Sequence, residues 1–328
     1  MSTSIIRVEA KPIAVEQSGF PAIVIAAGGN ARFAYEEFFS GIDSPHTERA
    51  YRNAVHRFLA WCEERGLALH QVKPADVSDY IKKLTKPDGS LASKPTRKLH
   101  LSALRHFFDK LVVRHAVILN PAASVRGPKH RVTEGKTPSL GVKQARALLA
   151  SIDATNIVGL RDRAIISVMI YTGVRVGAVS KLHRQDFYFD GTQWMFRFDE
   201  KDGKVRQIPC RADLETFMRD YLDVAGTASE DAPLFCSAVR KTKILAMKGM
   251  TPNDMLRMVK RRFKAAGLPH RELTCHSFRA TTITDLLDQG VPLEDVQYLA
   301  GHSDPRTTRL YDRRKRQVTR NIVERISI

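Results

Sequence analysis

Between Asn120 and Ser139 the chain reads NPAASVRGPKHRVTEGKTPS, with three prolines and two glycines. Proline removes a backbone donor and glycine leaves the backbone unrestrained, so no continuous helix or strand is expected through such a stretch. This one segment divides the 328 residues into two modules joined by a linker. The expected organisation is a flexible lead-in over 1–30, a helical module over 31–125, a basic linker over 126–139 and a second module over 140–328. The linker carries Arg126, Lys129, His130, Arg131 and Lys136.

Residues 1 to about 30 show no sustained periodicity and end in AAGGN, a turn-like composition. From Ser44 a helical period appears, with Tyr51, Val55, Phe58, Leu59 and Cys62 on one face and Gly66 as a stop. KPADVSDYIKKL predicts a shorter helix with Pro74 near its start. SKPTRKLHLSALRHFFDKLV predicts a third, whose stripe is Leu101, Leu104, Phe108 and Leu111. Its opposite face carries Lys94, Arg97, Lys98 and Arg105. Such a face either lies along a polyanion or is simply solvated.

The second module opens with helical patterns in VKQARALLASI and GLRDRAIISVMIYTG. Then Asp190-Gly191 and Asp202-Gly203 separate short alternating runs, which predicts a small antiparallel sheet within a mostly helical domain. The helical pattern resumes near Leu214 and is expected to dominate to the end.

The formal charge is +18, an excess that attracts polyanions, nucleic acid first. A basic linker between two modules would let them close like a clamp around a duplex. Four scattered cysteines, Cys62, Cys210, Cys236 and Cys275, form no zinc spacing and are expected as free thiols in a reducing compartment. The apolar run AIVIAA, Ala22 to Ala27, is too short to span a membrane. The N-terminus lacks the basic start of a signal peptide. The expected location is cytoplasmic, associated with the nucleoid, with no membrane partner.

Four segments hold candidate chemistry: Arg175 in YTGVRVGAVSKL, Lys201 and Lys204 in EKDGKVRQIP, His276 and Arg279 in LTCHSFRATT, and His302 and Tyr311 in AGHSDPRTTRLYDRR. Taken singly, each has a structural reading as an ion pair, a turn lysine or a packing residue. Together they meet the needs of attack on a phosphodiester. A phenol, with a reference pKa of about 10, needs a base or a positive field to act as a nucleophile. Two guanidinium forks can grip two non-bridging oxygens. Histidines move protons near neutral pH, and a lysine on a hairpin can protonate the leaving oxygen. No carboxylate triad for paired metal ions and no GxxxxGK[ST] loop is evident. These absences fit a transfer that uses no metal, no ATP and no other cofactor.

With Arg175, Lys201, His276, Arg279, His302 and Tyr311 in this order, the chain resembles the tyrosine recombinase (phage integrase) family over residues 44 to 328. TGVR, HSFR and GHSDPRTTRLY carry the resemblance jointly, because their order and spacing match as well. The resemblance implies a mainly α fold: a SAM-like core-binding domain and a mostly helical catalytic domain with a small antiparallel sheet, forming a C-shaped DNA clamp.

It also implies a mechanism of site-specific recombination. Tyr311 forms a 3′-phosphotyrosyl bond, Arg175 and Arg279 clamp the phosphate, and His276 accepts or donates a proton near the nucleophile. His302 hydrogen-bonds the phosphate and Lys201 protonates the leaving 5′-oxygen. Two rounds of exchange pass through a Holliday junction. The partners implied are double-stranded DNA sites and three further copies of the chain, with a monomer or weak oligomer when free. The candidate DNA-binding residues are Lys94, Arg97, Lys98, Arg105, Arg126, Lys129, Arg131 and Lys204. The family's GKGxKxRxVP pattern aligns its first lysine with Lys201 and its second with Lys204, and both flank one tight turn. The tail after Tyr311 is expected to dock on a neighbouring protomer. Two other readings use the same residues: a type IB topoisomerase-like relaxer, and a DNA-binding protein that has lost catalysis.

Two positions depart from the family. An acidic residue commonly stands three positions after the first arginine, where this chain has Ala178. Arg175 therefore lacks that orienting acid, or another acid substitutes for it. A histidine or tyrosine often follows the second arginine, where this chain has Ala280.

Overall fold

The computed structural model describes residues 19–130, 135–200, 203–226, 229–240 and 242–312. The chain divides into two compact units, Met1–Arg131 and Val132–Ile328.

Five helices build the first unit: α1 (Ala22–Ala26), α2 (Gly29–Ser40), α3 (Pro45–Glu63), α4 (Pro74–Lys83) and α5 (Lys94–Val113). α3 and α5 start alike: Ser44 and Ser93 accept from the backbone N–H groups of Thr47 and Thr96, and a proline occupies the first turn. The predicted stripes are buried, with Val55, Phe58, Leu59 and Cys62 on α3 facing Leu101, Leu104, Phe108 and Leu111 on α5. Aromatic rings meet edge to face, as between Phe58 and Phe108, 6.0 Å apart, and between Phe38 and Phe107, 5.5 Å apart.

The lead-in expectation gives way from Phe20 onward. Ile23 and Val24 of α1 and Ala31, Ala34, Tyr35, Phe38 and Phe39 of α2 belong to the core. The glycines that read as a turn are the start of α2: Gly28, at φ 90°, precedes its first residue, Gly29. Residues 1–18 lie outside the described residues. Arg105 also sits differently from its expected place on a basic face. It donates from Nε to Ala122 O at 3.1 Å and from Nη2 to Val125 O, fastening the segment after α5 to the unit.

The second unit follows the order α6 (Val142–Ala150), α7 (Ile157–Thr172), α8 (Val176–Val179), β1 (Phe187–Phe189), β2 (Trp194–Asp199), β3 (Val205–Pro209), α9 (Ala212–Ala225), β4 (Cys236–Ala238), β5 (Leu245–Gly249), α10 (Pro252–Ala265), α11 (Cys275–Asp288), α12 (Leu293–Ala300) and α13 (Pro305–Arg309). α7 is buried along most of its length and forms the axle, packed against α6, α8, α9, α10 and α11. The expected sheet is present as β1-β2-β3, antiparallel, with Phe196 opposite Phe187 and Ile208. Asp190 caps its first turn by accepting from the N–H groups of Thr192 and Gln193.

A second hairpin, β4-β5, interrupts the stretch expected to be helical. Its turn carries Arg240 and Lys243 at φ 48° and 58°, residues that give no turn signal in the sequence. No described helix is long and apolar enough to cross a membrane.

One buried charge network ties α7 to α10. Asp162, fully buried, accepts from Arg161 Nη2 at 2.6 Å, Arg262 Nη2 at 2.7 Å and Arg261 Nη2 at 3.2 Å. Arg161 also donates to Cys236 O of β4 at 2.8 Å. Removing the carboxylate strands a guanidinium in the core. Asp162→Ala is expected to destabilise the second unit by about 3–5 kcal/mol. The measurement is urea unfolding followed by Trp194 fluorescence in a Trp61→Phe background. A loss below about 1 kcal/mol, the scale of an exposed ion pair, would contradict the assignment.

Candidate active site

α11 opens at Thr274, whose hydroxyl accepts from the His276 N–H at 3.2 Å. One turn separates His276 from Arg279 on this helix. His276 stays open to solvent, whereas Arg279 is 1% exposed. Arg279 donates from Nη1 to Gly173 O at 2.6 Å and from Nη2 to Ala300 O. These are terminal carbonyls of α7 and α12, and both helices end on a left-handed glycine at φ 61°, Gly173 and Gly301. The negative ends of two helix dipoles therefore converge on one guanidinium.

Tyr311 follows α13, its N–H donating to Thr308 O at 3.0 Å. The ring is 7% exposed and packs with Ala280, Ile283, Leu287, Val296 and Ala300. Ala280, one of the departures from the family pattern, is thus a packing neighbour of the tyrosine. The Tyr311 hydroxyl lies 2.9 Å from His276 Nε2. The His302 ring stacks on Tyr311 with centroids 5.9 Å apart and planes 10° apart. His302 Nδ1 is 2.9 Å from Thr308 Oγ1, and Gln297 Nε2 donates to His302 O at 2.9 Å. With Nδ1 engaged, Nε2 is the nitrogen that can meet an incoming oxyanion.

Burial raises the Tyr311 phenol above its ordinary value, and the charges of Arg279 and Arg175, with a hydrogen bond from Arg279, oppose that rise. Desolvation, then the charges of Arg279 and Arg175, hold His276 below the usual imidazole range. The same causes push His302 down to about 3. Burial and the nearby Arg175 charge lower Arg279 to about 10. At neutral pH the cluster therefore holds two neutral imidazoles, charged guanidinium groups and a protonated phenol.

Two groups that sequence reasoning passed over complete the cluster. Glu200 is buried, with Oε1 2.8 Å from Arg206 Nη2 and 3.9 Å from Arg175 Nη1. Arg206 Nη1 donates to the carbonyls of Leu299 and Tyr298 at the end of α12. The signal was in the strand parity. Glu200, the residue after β2, continues the phase of Phe196 and Phe198, and Arg206 precedes Ile208 in phase on β3, so both polar residues occupy inward positions.

The structure brings Arg175, His276, Arg279, His302 and Tyr311 into one cluster. Lys204 is exposed and lines a cleft of about 500 Å³ with Glu200, Gly301 and His302. Lys201 lies outside the described residues, as do Arg131 and the tail from 313. In the first unit Lys94, Lys98, Arg126 and Lys129 are exposed and Arg97 is half-buried. The second unit has another cleft, of about 650 Å³, whose lining includes Arg240, Lys243, Lys248, Arg257 and Arg261. The linear sequence hid this basic concavity, because its residues come from the β4-β5 hairpin and α10.

Residues 138–317 match the Phage integrase family and residues 37–115 match the Phage integrase, N-terminal SAM-like domain. The chain is 31% identical over 283 residues to the tyrosine recombinase XerD of Ralstonia nicotianae, covering 84% of this chain and 86% of that protein. It is 30% identical over 285 residues to the XerD of Chlorobaculum tepidum, covering 84% and 87% respectively. Among solved structures, the XerH site-specific recombinase in a post-cleavage complex with palindromic difH substrate aligns with a TM-score of 0.65 at 20% identity, covering 80% of this chain and 75% of that one. A lambda integrase tetramer bound to a Holliday junction aligns with a TM-score of 0.64 at 16% identity, covering 92% and 85%. The likeness of these two structures is one of fold.

Gly301 has two reasons to be glycine. Its φ is 61°, and an added Cβ would lie 2.6 Å from Glu200 Oε2 and 3.0 Å from Arg206 Cζ. Gly203, at φ 70° with nothing within 4 Å, has only the first reason. Gly203→Ala is expected to cost about 1 kcal/mol, and Gly301→Ala more, up to about 3 kcal/mol. Equal losses in thermal unfolding would contradict the close packing of Glu200 on Gly301.

Proposed function

The chain belongs to the phage integrase family and is a tyrosine recombinase, and from that premise we propose a specific course for its reaction. The Tyr311 oxygen attacks a DNA phosphorus while its proton passes to His276 Nε2. The bond from phosphorus to the 5′-oxygen breaks, and that oxygen leaves as a hydroxyl with a proton from Lys201. The product is a 3′-phosphotyrosyl link. A 5′-hydroxyl from a partner strand then attacks it, the phenol is released, and the phosphodiester is restored without an external energy source. Arg175 and Arg279 face the non-bridging oxygens, and His302 donates to one of them. Preorganised cations aimed at developing charge are the largest contribution expected here.

The single observation that carries this reading is the 2.9 Å contact between the Tyr311 hydroxyl and His276 Nε2, beside a buried guanidinium. A neutral imidazole at that distance is placed to take the phenolic proton. Between its two rounds of exchange the reaction passes through a Holliday junction, with four protomers on two duplexes. Residues 20–125 serve as the core-binding domain and 140–328 as the catalytic domain, and the work is done at the nucleoid. Lys94, Arg97, Lys98, Arg126, Lys129, Arg131 and Lys204, together with the Arg240–Arg257 cleft, contribute phosphate contacts. Arg105 contributes instead by holding the end of the first unit. The relatives and structures named above are recombinases and integrases, and none favours a relaxing enzyme.

The test is covalent trapping in EDTA on nicked duplexes tiled across the DNA flanking the gene. An adduct that survives denaturation in the wild type and vanishes in Tyr311→Phe is expected. An adduct that persists in Tyr311→Phe would remove the nucleophile from this reading. The same assay has a pH signature. His276 titrates below 6.5, the usual imidazole value, so it is a neutral acceptor above that pH and is lost as acceptor when pH falls through its lowered value. Single-turnover cleavage is therefore expected to fall on an acid limb centred below pH 6.5, and His276→Gln to remove that limb while lowering the plateau about 100-fold. A limb unchanged in His276→Gln would assign it to another group.

A further inference from the structure

We propose that Glu200 is the positioning residue of the phosphate clamp: its carboxylate holds Arg175 in place and ties it to the β2-β3 hairpin. This rests on the reaction assigned above. Ala178, the position where an acid would follow Arg175 by one turn, is buried and carries no charge. Among the described residues Glu200 is the one carboxylate in an ion pair with Arg175.

Its placement is specific. The Glu200 side chain is 6% exposed, whereas that of the next residue back, Asp199, is 63% exposed and points to the other face of the strand. Oε1 is anchored 2.8 Å from Arg206, whose other nitrogen is fixed on the last carbonyls of α12. Oε2 lies against Gly301, where any side chain would collide with it. The carboxylate is therefore held by contacts that do not involve Arg175.

Arg175 behaves differently. Its side chain is 50% exposed and its Nη1 is 3.9 Å from the carboxylate, an electrostatic contact rather than a hydrogen bond. It also feels repulsion from Arg279, which responds to the Arg175 charge. Without Glu200 no other ion pair of Arg175 among the described residues opposes that repulsion, and a half-exposed arginine would swing towards solvent. With Glu200 the guanidinium stays at the cluster while its donors are available for an oxyanion. The backbone adds a second link: Glu200 N–H donates at 2.8 Å to the carbonyl of Lys204, one of the two candidate lysines. One residue thus connects the lysine hairpin, the phosphate clamp and the glycine that precedes His302.

The experiment uses the full chain and Glu200→Gln, which keeps the shape and an acceptor for Arg206 but removes the charge. Noncovalent affinity for a nicked duplex is expected to stay within about twofold, while the rate of Tyr311 adduct formation falls about 10–100-fold, the range seen when an outer partner of a functional group is lost. Glu200→Asp is expected to recover part of that loss. In an Arg175→Lys background, Glu200→Gln should cost less than about threefold more, because residues that act through one another are not additive. An adduct rate within twofold of wild type, losses that multiply in full, or affinity falling in step with rate would each overturn the proposal.

A readout in the free protein separates this from the reaction itself. Modification of Arg175 by phenylglyoxal, followed by peptide mass, should accelerate several-fold in Glu200→Gln while that of Arg52 does not. If the wild type forms no Tyr311-dependent adduct, the assigned reaction fails, and the phenylglyoxal comparison still decides whether Glu200 holds Arg175. An unchanged rate at Arg175 overturns the proposal whatever the DNA assay gives. Were Glu200→Gln not to fold, Glu200→Asp carries the same comparisons with the charge retained one methylene short of its place. Slower adduct formation with faster Arg175 modification supports the proposal, and wild-type values for both overturn it.

Discussion

A guanidinium with 1% of its surface exposed is the constraint around which the second unit is arranged. Burying a charge is costly unless its donors are satisfied. Both terminal nitrogens of Arg279 donate to main-chain carbonyls, Gly173 O and Ala300 O. Carbonyls at helix ends suit a cation because they carry the partial negative charge of the dipole and have no partner within the helix. Meeting this need fixes the ends of α7 and α12 against α11. It also fixes the two residues that follow those ends closely, Arg175 two positions after Gly173 and His302 directly after Gly301. The clamp and the histidine are thus placed by the same hydrogen bonds that make the buried charge tolerable.

This explains how much of the molecule could be read before its structure was known. TGVR and AGH each contain a helix-ending glycine followed closely by a side chain of the candidate site, so fold and site are written in the same few letters. The stripes of α3 and α5 were legible because amphipathic helices repeat their apolar residues. α1 was not, because AIVIA is too short to show a period, and the start of α2 was masked by a glycine pair. The β4-β5 hairpin was missed because its turn uses Arg240 and Lys243 in left-handed geometry, where glycine or asparagine is the usual signal. Arg105 was misplaced for another reason: helical spacing gives a residue's face but not the carbonyls that a neighbouring loop brings to it.

Charge balance accounts for the part of the site that was least legible. Arg175, Arg206 and Arg279 repel one another across a small volume, and both histidines are kept neutral by burial and by these charges. A cluster with only cations would bind a phosphate but would spread apart in its absence. A buried carboxylate among them lowers that repulsion without occupying the site, provided it approaches from behind. Strand parity puts Glu200 there, because the inward face of β2 ends beside α12 rather than at the solvent-facing side of Arg175.

Moving such an acid from a helix to a hairpin changes what it can transmit. At position 178 a carboxylate would share the rigid frame of α8 with Arg175 and would report nothing about the sheet. At position 200 it directly follows β2, and its own N–H donates to Lys204 O at 2.8 Å. Any displacement of that hairpin displaces the carboxylate, and with it the field on Arg175 and Arg279. On the proposed course, the lysine assigned to the leaving oxygen and the arginines assigned to the phosphate are linked through one side chain, so a shift of Glu200 would act on both.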